Sequence, residues 1–326
     1  MPPTASSAYN DLLLRLYRLS YELPLDQFQD QALAVIKPVL PFDSAMWGSA
    51  TLTNTGIDVH TIHLHNQPLD MLQAYEEIKH LDTAALETAK HPEATLGFDA
   101  GTWFSGKDQT ALRAYGQRFK QAHFFIGSTL HAQTRFARWL TLFRSNFRAH
   151  CTASERILLA ALMPHIQQAL ELNRLTHLNQ LGMADATSHS GAAIADPRGM
   201  LYHMDPVFEH AVRTEWADWR GPTLPTALME PLLQGQRRFV GRTLVMALRV
   251  EHSLLFLRTR PQHPADRLTP REFTVAQWMS KGNTHKEIAI ILQRSPATVR
   301  NQIRSVYDKL AIGNVAGLIE ALRLVE

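Results

Sequence analysis

The chain has 326 residues, of which 45% are hydrophobic and 19% are charged. This composition is typical of globular proteins and excludes a disordered or low-complexity chain. At roughly 150 residues per domain, the length predicts two or three domains. The single cysteine, Cys151, cannot form a disulfide within the chain and excludes a zinc site built from cysteines. We therefore expect a protein of the reducing cytoplasm.

Positive charge is concentrated at the C-terminal end. Residues 267–326 contain nine Lys or Arg and five Asp or Glu, whereas the other 266 residues contain 24 and 25. Such an asymmetry indicates a module that binds a polyanion. Residues 1–10 lack the pattern of a signal peptide, and the apolar run at 157–170 is too short to span a bilayer. We predict no membrane partner.

Two short stretches divide the chain into three segments. Residues 182–190 are small and polar, and residues 260–267 contain two prolines, which do not fit inside a helix or a central strand. The predicted domains are therefore 1–181, 188–260 and 267–326.

The first segment combines helical and strand patterns. The predicted elements are helices at 12–19 and 28–39, strands at 44–52 and 57–65, helical stretches at 69–90 and 108–120, and strands at 124–132 and 136–144. Thr152 and Glu155 then form a capping box, which predicts a helix to about Leu181 with a kink at Pro164. This order of elements resembles a GAF-like or autoinducer-binding sensor, which implies a sheet and covering helices around a small molecule.

The middle segment has the pattern of a small α/β domain. The predicted elements are strands at 192–195 and 200–204, a helix after Pro206, a helix at 224–233, and strands at 238–249 and 253–259. A tight turn over 196–199 joins the first two strands. The run AIADPRGMLYHMDPVFEHA resembles a PAS-like domain.

Three helix starts follow one another in the last segment. Thr269 with Glu272 and Thr284 with Glu287 have the spacing of capping boxes, and Ser295 caps a third helix. Only two residues separate the second helix from the Ser295 cap, which is the short connection of a helix-turn-helix.

The third helix of this segment has two distinct faces. Its apolar residues recur at spacings of three and four, which predicts one buried stripe. The residues of the stripe are Val299, Ile303, Val306 and Leu310. The other face carries Arg300, Asn301 and Arg304, whose side chains suit base edges in a DNA major groove, since Arg pairs with guanine and Asn with adenine.

These motifs occur together in the run LTPREFTVAQWMSKGNTHKEIAIILQRSPATVRNQIRSVYDKLAIGN, which resembles the LuxR/FixJ-type DNA-binding domain. The resemblance implies four helices, of which the third enters the major groove and the fourth pairs with a second copy. Arg300, Asn301 and Arg304 match the base-facing positions of the family. The sequence departs from the family at Gln302, Ala311 and Val315, where His, Gly and Arg are usual.

Two further residue sets follow from the same resemblance. The residues that match DNA-backbone contacts are Thr284, Lys286, Thr298 and Lys309. The residues of the fourth helix predicted to mediate dimerisation are Val315, Leu318, Ile319 and Leu322.

A ligand pocket is expected in the first segment. The run PLDMLQAYEEIKHLDTAALETA resembles the acyl-homoserine-lactone sensors, with Tyr75 and Asp82 at matching places, although the tryptophan spacing of that group is absent. The predicted pocket residues are Trp47, Tyr75, Asp82, Trp103 and Trp139.

Catalytic and metal-binding patterns are weak in this sequence. His60, His63 and His65 form an HxxHxH pattern, which we interpret as a half-exposed strand face. Cys151 has no neighbouring base, and no GxSxG, P-loop or GxGxxG motif occurs. We predict no metal site, no cofactor and no enzyme activity.

The sequence thus predicts a multidomain protein with an α/β GAF-like sensor, a small α/β PAS-like domain and an all-α four-helix helix-turn-helix domain. Its expected function is sequence-specific, dimeric transcription regulation controlled by a small-molecule signal. The expected partners are double-stranded DNA with an inverted-repeat operator, a second copy of the chain, an unidentified effector and, as a further candidate, RNA polymerase. Two alternatives remain open: sequestration of a partner protein without DNA binding, and an enzyme with an accessory helix-turn-helix.

Overall fold

A computed structural model describes residues 5–53, 56–131, 134–181 and 190–323 of the chain. The chain forms two compact units. The N-terminal unit comprises the residues up to Met183 together with Asp196–Met200 and His252–Leu254, and the C-terminal unit contains the rest. Apart from Ser190, the predicted boundary at 182–190 lies outside the described residues. The division into three segments stays a prediction.

The N-terminal unit is an α/β structure built on one sheet. Its helices are α1 (Ala5–Glu22), α2 (Leu25–Ile36), α3 (Asp70–Ile78), α4 (Thr83–Lys90), α5 (Ala100–Trp103), α6 (Thr110–Arg118) and α7 (Ala153–Gln180). Its strands are β1 (Ser44–Thr53), β2 (Gly56–His65), β3 (Leu96–Asp99), β4 (His123–His131) and β5 (Phe136–Arg144). The strands pair antiparallel in the order β2-β1-β5-β4-β3.

Both faces of this sheet are covered. Phe125 of β4 packs in a core with Leu16 of α1 and Ile166 of α7. The adjacent Phe124 packs in a second core with Phe104, because successive side chains of a strand point to opposite faces. The sheet therefore lies between two apolar layers.

The outer edge of this sheet, strand β2, is contacted by Arg198. Arg198 donates hydrogen bonds to the Asp58 carboxylate at 2.8 Å and to the Val59 carbonyl at 2.7 Å.

The long helix α7 begins as the sequence predicts. Thr152 and Glu155 form the capping box, and the helix continues through Pro164 for 28 residues. Arg144 at the end of β5 donates to Glu155 at 2.6 Å, so the start of α7 is anchored to the sheet. Although burial opposes ionisation, the hydrogen bonds from Arg144 and Thr152 lower the pKa of Glu155 to about 2.

The helical stretch predicted at 69–90 is helical over most of its length, but it is not continuous. It is divided into α3 and α4 because Asp82 accepts hydrogen bonds from the backbone N–H groups of Ala84 and Ala85 at 2.9 and 3.0 Å, and so caps α4. The short strand β3 was not predicted, since its four residues are too few to show a strand periodicity.

The C-terminal unit combines a second sheet with a helical domain. Its strands are β6 (Gly191–Ala195), β7 (Leu201–Met204), β8 (Arg238–Val240), β9 (Leu244–Glu251) and β10 (Leu254–Pro261), in the order β7-β6-β10-β9-β8. Its helices are α8 (Pro206–Glu215), α9 (Thr226–Leu233), α10 (Pro270–Ser280), α11 (His285–Ile291), α12 (Pro296–Leu310) and α13 (Val315–Arg323). An α/β N-terminal region and a helical C-terminal end confirm the coarse fold class.

The predicted strand at 238–249 is divided by a turn that a buried carboxylate holds. Glu215 accepts hydrogen bonds from the backbone N–H groups of Arg242 and Thr243 at 2.9 and 2.7 Å, and from the Thr243 hydroxyl at 2.6 Å. These bonds favour a turn between β8 and β9 over continuation of the strand.

The predicted boundary at 260–267 is an ordered junction. The buried carboxylate of Asp266 accepts hydrogen bonds from Arg238 and from Arg260, the latter at 2.6 and 2.7 Å. Its neighbour Ala265 already packs in the core of the helical domain. Among the residues described here, no helix is long and apolar enough to cross a bilayer.

Candidate functional site

The first three of the four C-terminal helices begin at the residues that the sequence predicts. Thr269 with Glu272 and Thr284 with Glu287 form complete capping boxes. The Ser295 hydroxyl accepts from the backbone N–H of Thr298 at 3.1 Å and caps α12. These caps satisfy backbone donors that a helix leaves unpaired at its N-terminus.

The apolar stripe of α12 faces the domain core, as predicted. Val299 and Val306 are fully buried, Leu310 is buried, and Ile303 packs against them. The core also contains Val275 of α10. Because one face of α12 is buried in this way, the opposite face is presented outward.

The three predicted base-reading residues lie together on that outward face. Arg300, Asn301 and Arg304 are all exposed. A guanidinium nitrogen of Arg300 lies 3.4 Å from His285 Nε2, which is a long hydrogen bond. Among the described residues, Asn301 and Arg304 have no hydrogen-bond or ion-pair partner, so their donors are available to a ligand.

The predicted backbone-contacting residues are in two situations. Thr284, Lys286 and Thr298 are exposed in the first turns of α11 and α12, where backbone N–H groups and the helix dipole favour phosphate. Lys309 lies at the far end of α12 and donates to the Glu272 carboxylate at 2.7 Å. The sequence did not reveal this ion pair, because 37 residues separate its partners.

The predicted dimerisation residues divide between the core and the surface. Leu318 and Leu322 are buried in the core of the helical domain. Val315 and Ile319 are each 41% exposed. The apolar pattern of α13 thus includes the domain's own packing, and the dimerisation prediction depends on its exposed pair.

The helical domain matches a known protein family. Residues 266–322 match the model of the luxR family of bacterial regulatory proteins. The C-terminal domain is a LuxR-family helix-turn-helix domain. The LuxR-family domain covers α10 to α13, and with it the exposed face of α12.

Three known proteins with different coverage are similar to this chain. The transcriptional regulatory protein ComA of Bacillus subtilis (strain 168) is 30% identical over 118 residues, which is 35% of this chain and 54% of ComA. The chain thus spans about half the length of this curated relative. This relative is described as a transcriptional regulatory protein, and the matched family is described as bacterial regulatory proteins.

Two solved structures are also similar. One is CepR2 of Burkholderia cenocepacia, an N-acylhomoserine-lactone-dependent LuxR-family factor, with 18% identity, coverage of 52% of this chain and 98% of CepR2, and a TM-score of 0.40. The other is SdiA of Escherichia coli, with 12% identity, coverage of 97% and 96%, and a TM-score of 0.40.

Outside the LuxR-family domain, the structure does not bring the five predicted pocket residues together. Trp47 of β1 is buried against Phe28 of α2. Trp139 of β5 pairs with Gly48, the neighbour of Trp47, and so lies on the other face of the sheet. Trp103 is 42% exposed.

Tyr75 and Asp82 do meet, but they satisfy each other. The Tyr75 hydroxyl donates to Asp82 Oδ2 at 2.7 Å, while Oδ1 of the same carboxylate caps α4. Burial and the nearby negative charge of Asp82 raise the pKa of Tyr75. This pair joins α3 to α4 and has a structural role.

A cavity of about 440 Å³ lies elsewhere in the N-terminal unit. Trp47, Gln167, Leu170 and Arg138 are among its lining residues. Gln167 is buried, and its side-chain amide has no hydrogen-bond partner in the described part of the chain. An amide in this position can donate to and accept from a bound molecule. Of the five predicted pocket residues, Trp47 alone lines this cavity.

The three histidines of β2 have protein partners. His63 Nε2 and His65 Nδ1 lie 3.0 and 2.7 Å from the same oxygen of Asp30. Burial opposes ionisation of Asp30, but the two histidines outweigh it and lower the pKa of this carboxyl. His60 Nδ1 lies 3.1 Å from Asp196.

Proposed function

We propose that the chain is a sequence-specific DNA-binding transcription regulator that acts as a dimer in the cytoplasm. In this proposal, α12 enters the major groove, and Arg300, Asn301 and Arg304 read base edges. Thr284, Lys286 and Thr298 contact the phosphate backbone. The operator is an inverted repeat, because two copies related by a two-fold axis read the same half-site in opposite directions.

One observation carries the proposal: the two faces of α12 are chemically opposite. Val299 and Val306 are fully buried, whereas Arg300 and Arg304 are exposed. Folding therefore leaves two guanidinium groups on the outer side of a helix whose first turn is also exposed. Guanidinium groups can donate two parallel hydrogen bonds to guanine, which is the commonest specific contact in protein–DNA complexes.

The N-terminal region is proposed to be a sensor for a small molecule. We assign 1–181 as a GAF-like domain, 188–260 as a PAS-like domain and 267–326 as a four-helix DNA-binding domain. The buried, unpartnered amide of Gln167 in the cavity supports a ligand with a polar group at that point. Trp47 and Leu170 supply an apolar wall, as small-molecule sites usually have.

Ligand binding in this cavity would act on α7. Gln167 and Leu170 both belong to α7, so a ligand that favours one position of these side chains favours one position of the helix. The signal then shifts the population between states that differ in DNA affinity.

The test is DNA selection followed by salt titration. The purified full-length protein selects its site from a randomised duplex library, and the selected duplex is used to compare variants. Arg304→Ala is expected to lose about 1–3 kcal/mol of binding and to relax the preference at one base position. Lys286→Ala is expected to weaken binding to all sequences and to reduce the log-log salt slope by about 0.9.

The control for the loss of one positive charge is Arg18→Ala. Arg18 is an exposed residue of α1, and its removal is expected to leave site selection unchanged. Wild-type protein that binds no duplex in a salt-dependent way would favour the sequestration alternative. An Arg304→Ala variant that selects the parental site with parental affinity would refute the assigned reading face.

A further inference from the structure

A second cluster of ionisable residues lies at one end of the N-terminal sheet. Asp99 is the last residue of β3 and pairs directly with His123, the first residue of β4. His150 belongs to the connection between β5 and α7. Asp99 Oδ2 lies 3.4 Å from the Nδ1 atoms of both histidines. The three side chains thus converge on one point with one ligand atom each.

The partner of His123 fixes which of its ring nitrogens is free. Its Nε2 lies 2.9 Å from the carbonyl oxygen of Phe147. A carbonyl oxygen accepts and cannot donate, so Nε2 carries the hydrogen. The other ring nitrogen, Nδ1, faces Asp99 and can supply a lone pair to a metal ion. A cation between Nδ1 and the carboxylate oxygen would be bound by both atoms.

We propose that Asp99, His123 and His150 bind a divalent transition-metal ion of the zinc type. Two imidazole nitrogens and a carboxylate oxygen are a common ligand set for such ions, with solvent in the fourth position. Metal–ligand distances of about 2.0–2.2 Å in a tetrahedron place ligand atoms about 3.3–3.6 Å apart. The two distances of 3.4 Å from Asp99 to the histidines fit this geometry.

The surroundings of the cluster hold its ligands in position. Asp99 Oδ1 accepts a hydrogen bond from the Thr102 backbone at 3.0 Å, which leaves Oδ2 directed at the histidines. The Phe147 carbonyl orients His123 as an outer partner of a metal-bound histidine does. His123 is buried, whereas the side chain of His150 is 67% exposed. An ion can therefore reach the cluster from solvent.

A second histidine–carboxylate group, with its histidines on β2, does not leave room for a metal ion between its side chains. In the group formed by Asp30, His63 and His65, both histidines are at direct hydrogen-bond distance from one carboxylate oxygen, at 3.0 and 2.7 Å. Direct hydrogen bonds already satisfy that oxygen. A metal ion bound at Asp99 would link the connection between β5 and α7 to the end of the sheet. This role is separate from the proposed DNA binding and does not depend on it.

The experiment uses tag-free full-length protein from which metal has been removed with a chelator. Zn²⁺ is titrated in competition with a chromophoric chelator, and Co²⁺ is used as a spectroscopic probe of tetrahedral coordination. We expect one equivalent of Zn²⁺ and a visible Co²⁺ spectrum. His150→Ala and Asp99→Asn are expected to lower the affinity at least about 100-fold, since each removes one direct ligand.

These two variants are expected to preserve the fold. His150 is on the surface, and an asparagine at 99 can still accept the Thr102 N–H as an N-cap. His80→Ala, at an exposed histidine of the same unit, is the matched control and is expected to bind like the parent. His65→Ala tests the competing cluster. Absence of Zn²⁺ binding, binding unchanged in His150→Ala and Asp99→Asn, or binding lost in His65→Ala would each overturn the proposal.

Discussion

Lys309 on α12 donates a hydrogen bond to Glu272 on α10, with 2.7 Å between Nζ and Oε2. Ser305 donates to the other oxygen of the same carboxylate at 2.6 Å, and the backbone N–H of Thr269 donates at 2.8 Å. One carboxylate therefore caps α10 and holds the C-terminal half of α12. The orientation of the proposed DNA-reading face is coupled to this single side chain.

Replacement of this carboxylate is expected to loosen α12. Glu272→Gln removes the charge that pairs with Lys309, and a hydrogen bond to a charged group contributes about 1.5–3 kcal/mol. Hydrogen-exchange mass spectrometry should show faster exchange in α10 and α12. Glu287→Gln is the matched control, because Glu287 occupies the same capping-box position but is exposed and, among the residues that the structure describes, bonds only to Thr284. Equal effects of the two changes would contradict the coupling.

The same contact predicts a pH dependence. Burial opposes ionisation of Glu272, but the hydrogen bonds from Lys309, Ser305 and Thr269 lower its pKa from 4.5 to about 2. Because the folded-state pKa is below the unfolded one, this stabilisation is complete above about pH 4.5 and is lost as the pH falls toward 2. Glu272→Gln should therefore show a weaker loss of protection in α12 across this range than the parent. Parallel acid profiles would argue against the assignment.

Ala311 is expected to destabilise the end of α12. It terminates this helix with φ 52°, in the left-handed region, where a residue with Cβ costs roughly 1–2 kcal/mol. Glycine is usual at this position of the family, so Ala311→Gly should raise stability by up to about 1 kcal/mol. Thermal unfolding of the full chain measures the change. Ala316→Gly, at a helical position in the first turn of α13, should lower stability instead.

Asp266 is expected to stabilise the junction before α10. Its carboxylate is fully buried and accepts hydrogen bonds from Arg238 and Arg260. Removal of one partner from a buried ion pair typically costs about 3–5 kcal/mol, because the remaining charges are left uncompensated. Asp266→Asn should therefore lower the unfolding midpoint in a denaturant titration well below that of the exposed control Asp218→Asn. A midpoint equal to the control value would show that the pair contributes little.

Dimerisation is expected to depend on the exposed residues of α13. Ile319→Glu places a charge on the apolar pair formed with Val315 while leaving the buried Leu318 and Leu322 in place. Sedimentation equilibrium should show at least about tenfold weaker association, which corresponds to 1.4 kcal/mol. Leu69→Glu, at an exposed apolar residue of the N-terminal unit, serves as the control. Unchanged association in Ile319→Glu would exclude α13 as the interface.

The C-terminal helices could be predicted because their signals are local. Thr269 and Thr284 each lie three residues from the glutamate that completes their capping box, and the stripe of α12 repeats within one helix. The same stripe analysis could not assign α13. An apolar helix face has the same pattern whether it packs inside its own domain, as Leu318 does, or faces a second copy.

The N-terminal features depend on contacts between distant residues. Strand β3 exists through pairing with β4, and Asp99 meets His123 and His150 only after the sheet has formed. The HxxHxH pattern instead indicates a histidine group on β2, where His63 and His65 are close in sequence and both contact Asp30. The sequence does not identify Gln167 as a buried cavity residue, because an isolated glutamine in an amphipathic helix is compatible with solvent exposure.

The arrangement of strand edges has a consequence for solubility at high concentration. A free edge offers unpaired amides to another molecule and so can nucleate intermolecular β-structure. Edge strands β3, β7 and β8 have four, four and three residues. Strands this short offer few free backbone groups with which another molecule could pair. Edge strand β2 has ten residues, but the guanidinium of Arg198 occupies the carbonyl of Val59 and the carboxylate of Asp58. A positively charged side chain at this point obstructs an incoming strand, and so protects the longest edge of either sheet against aggregation.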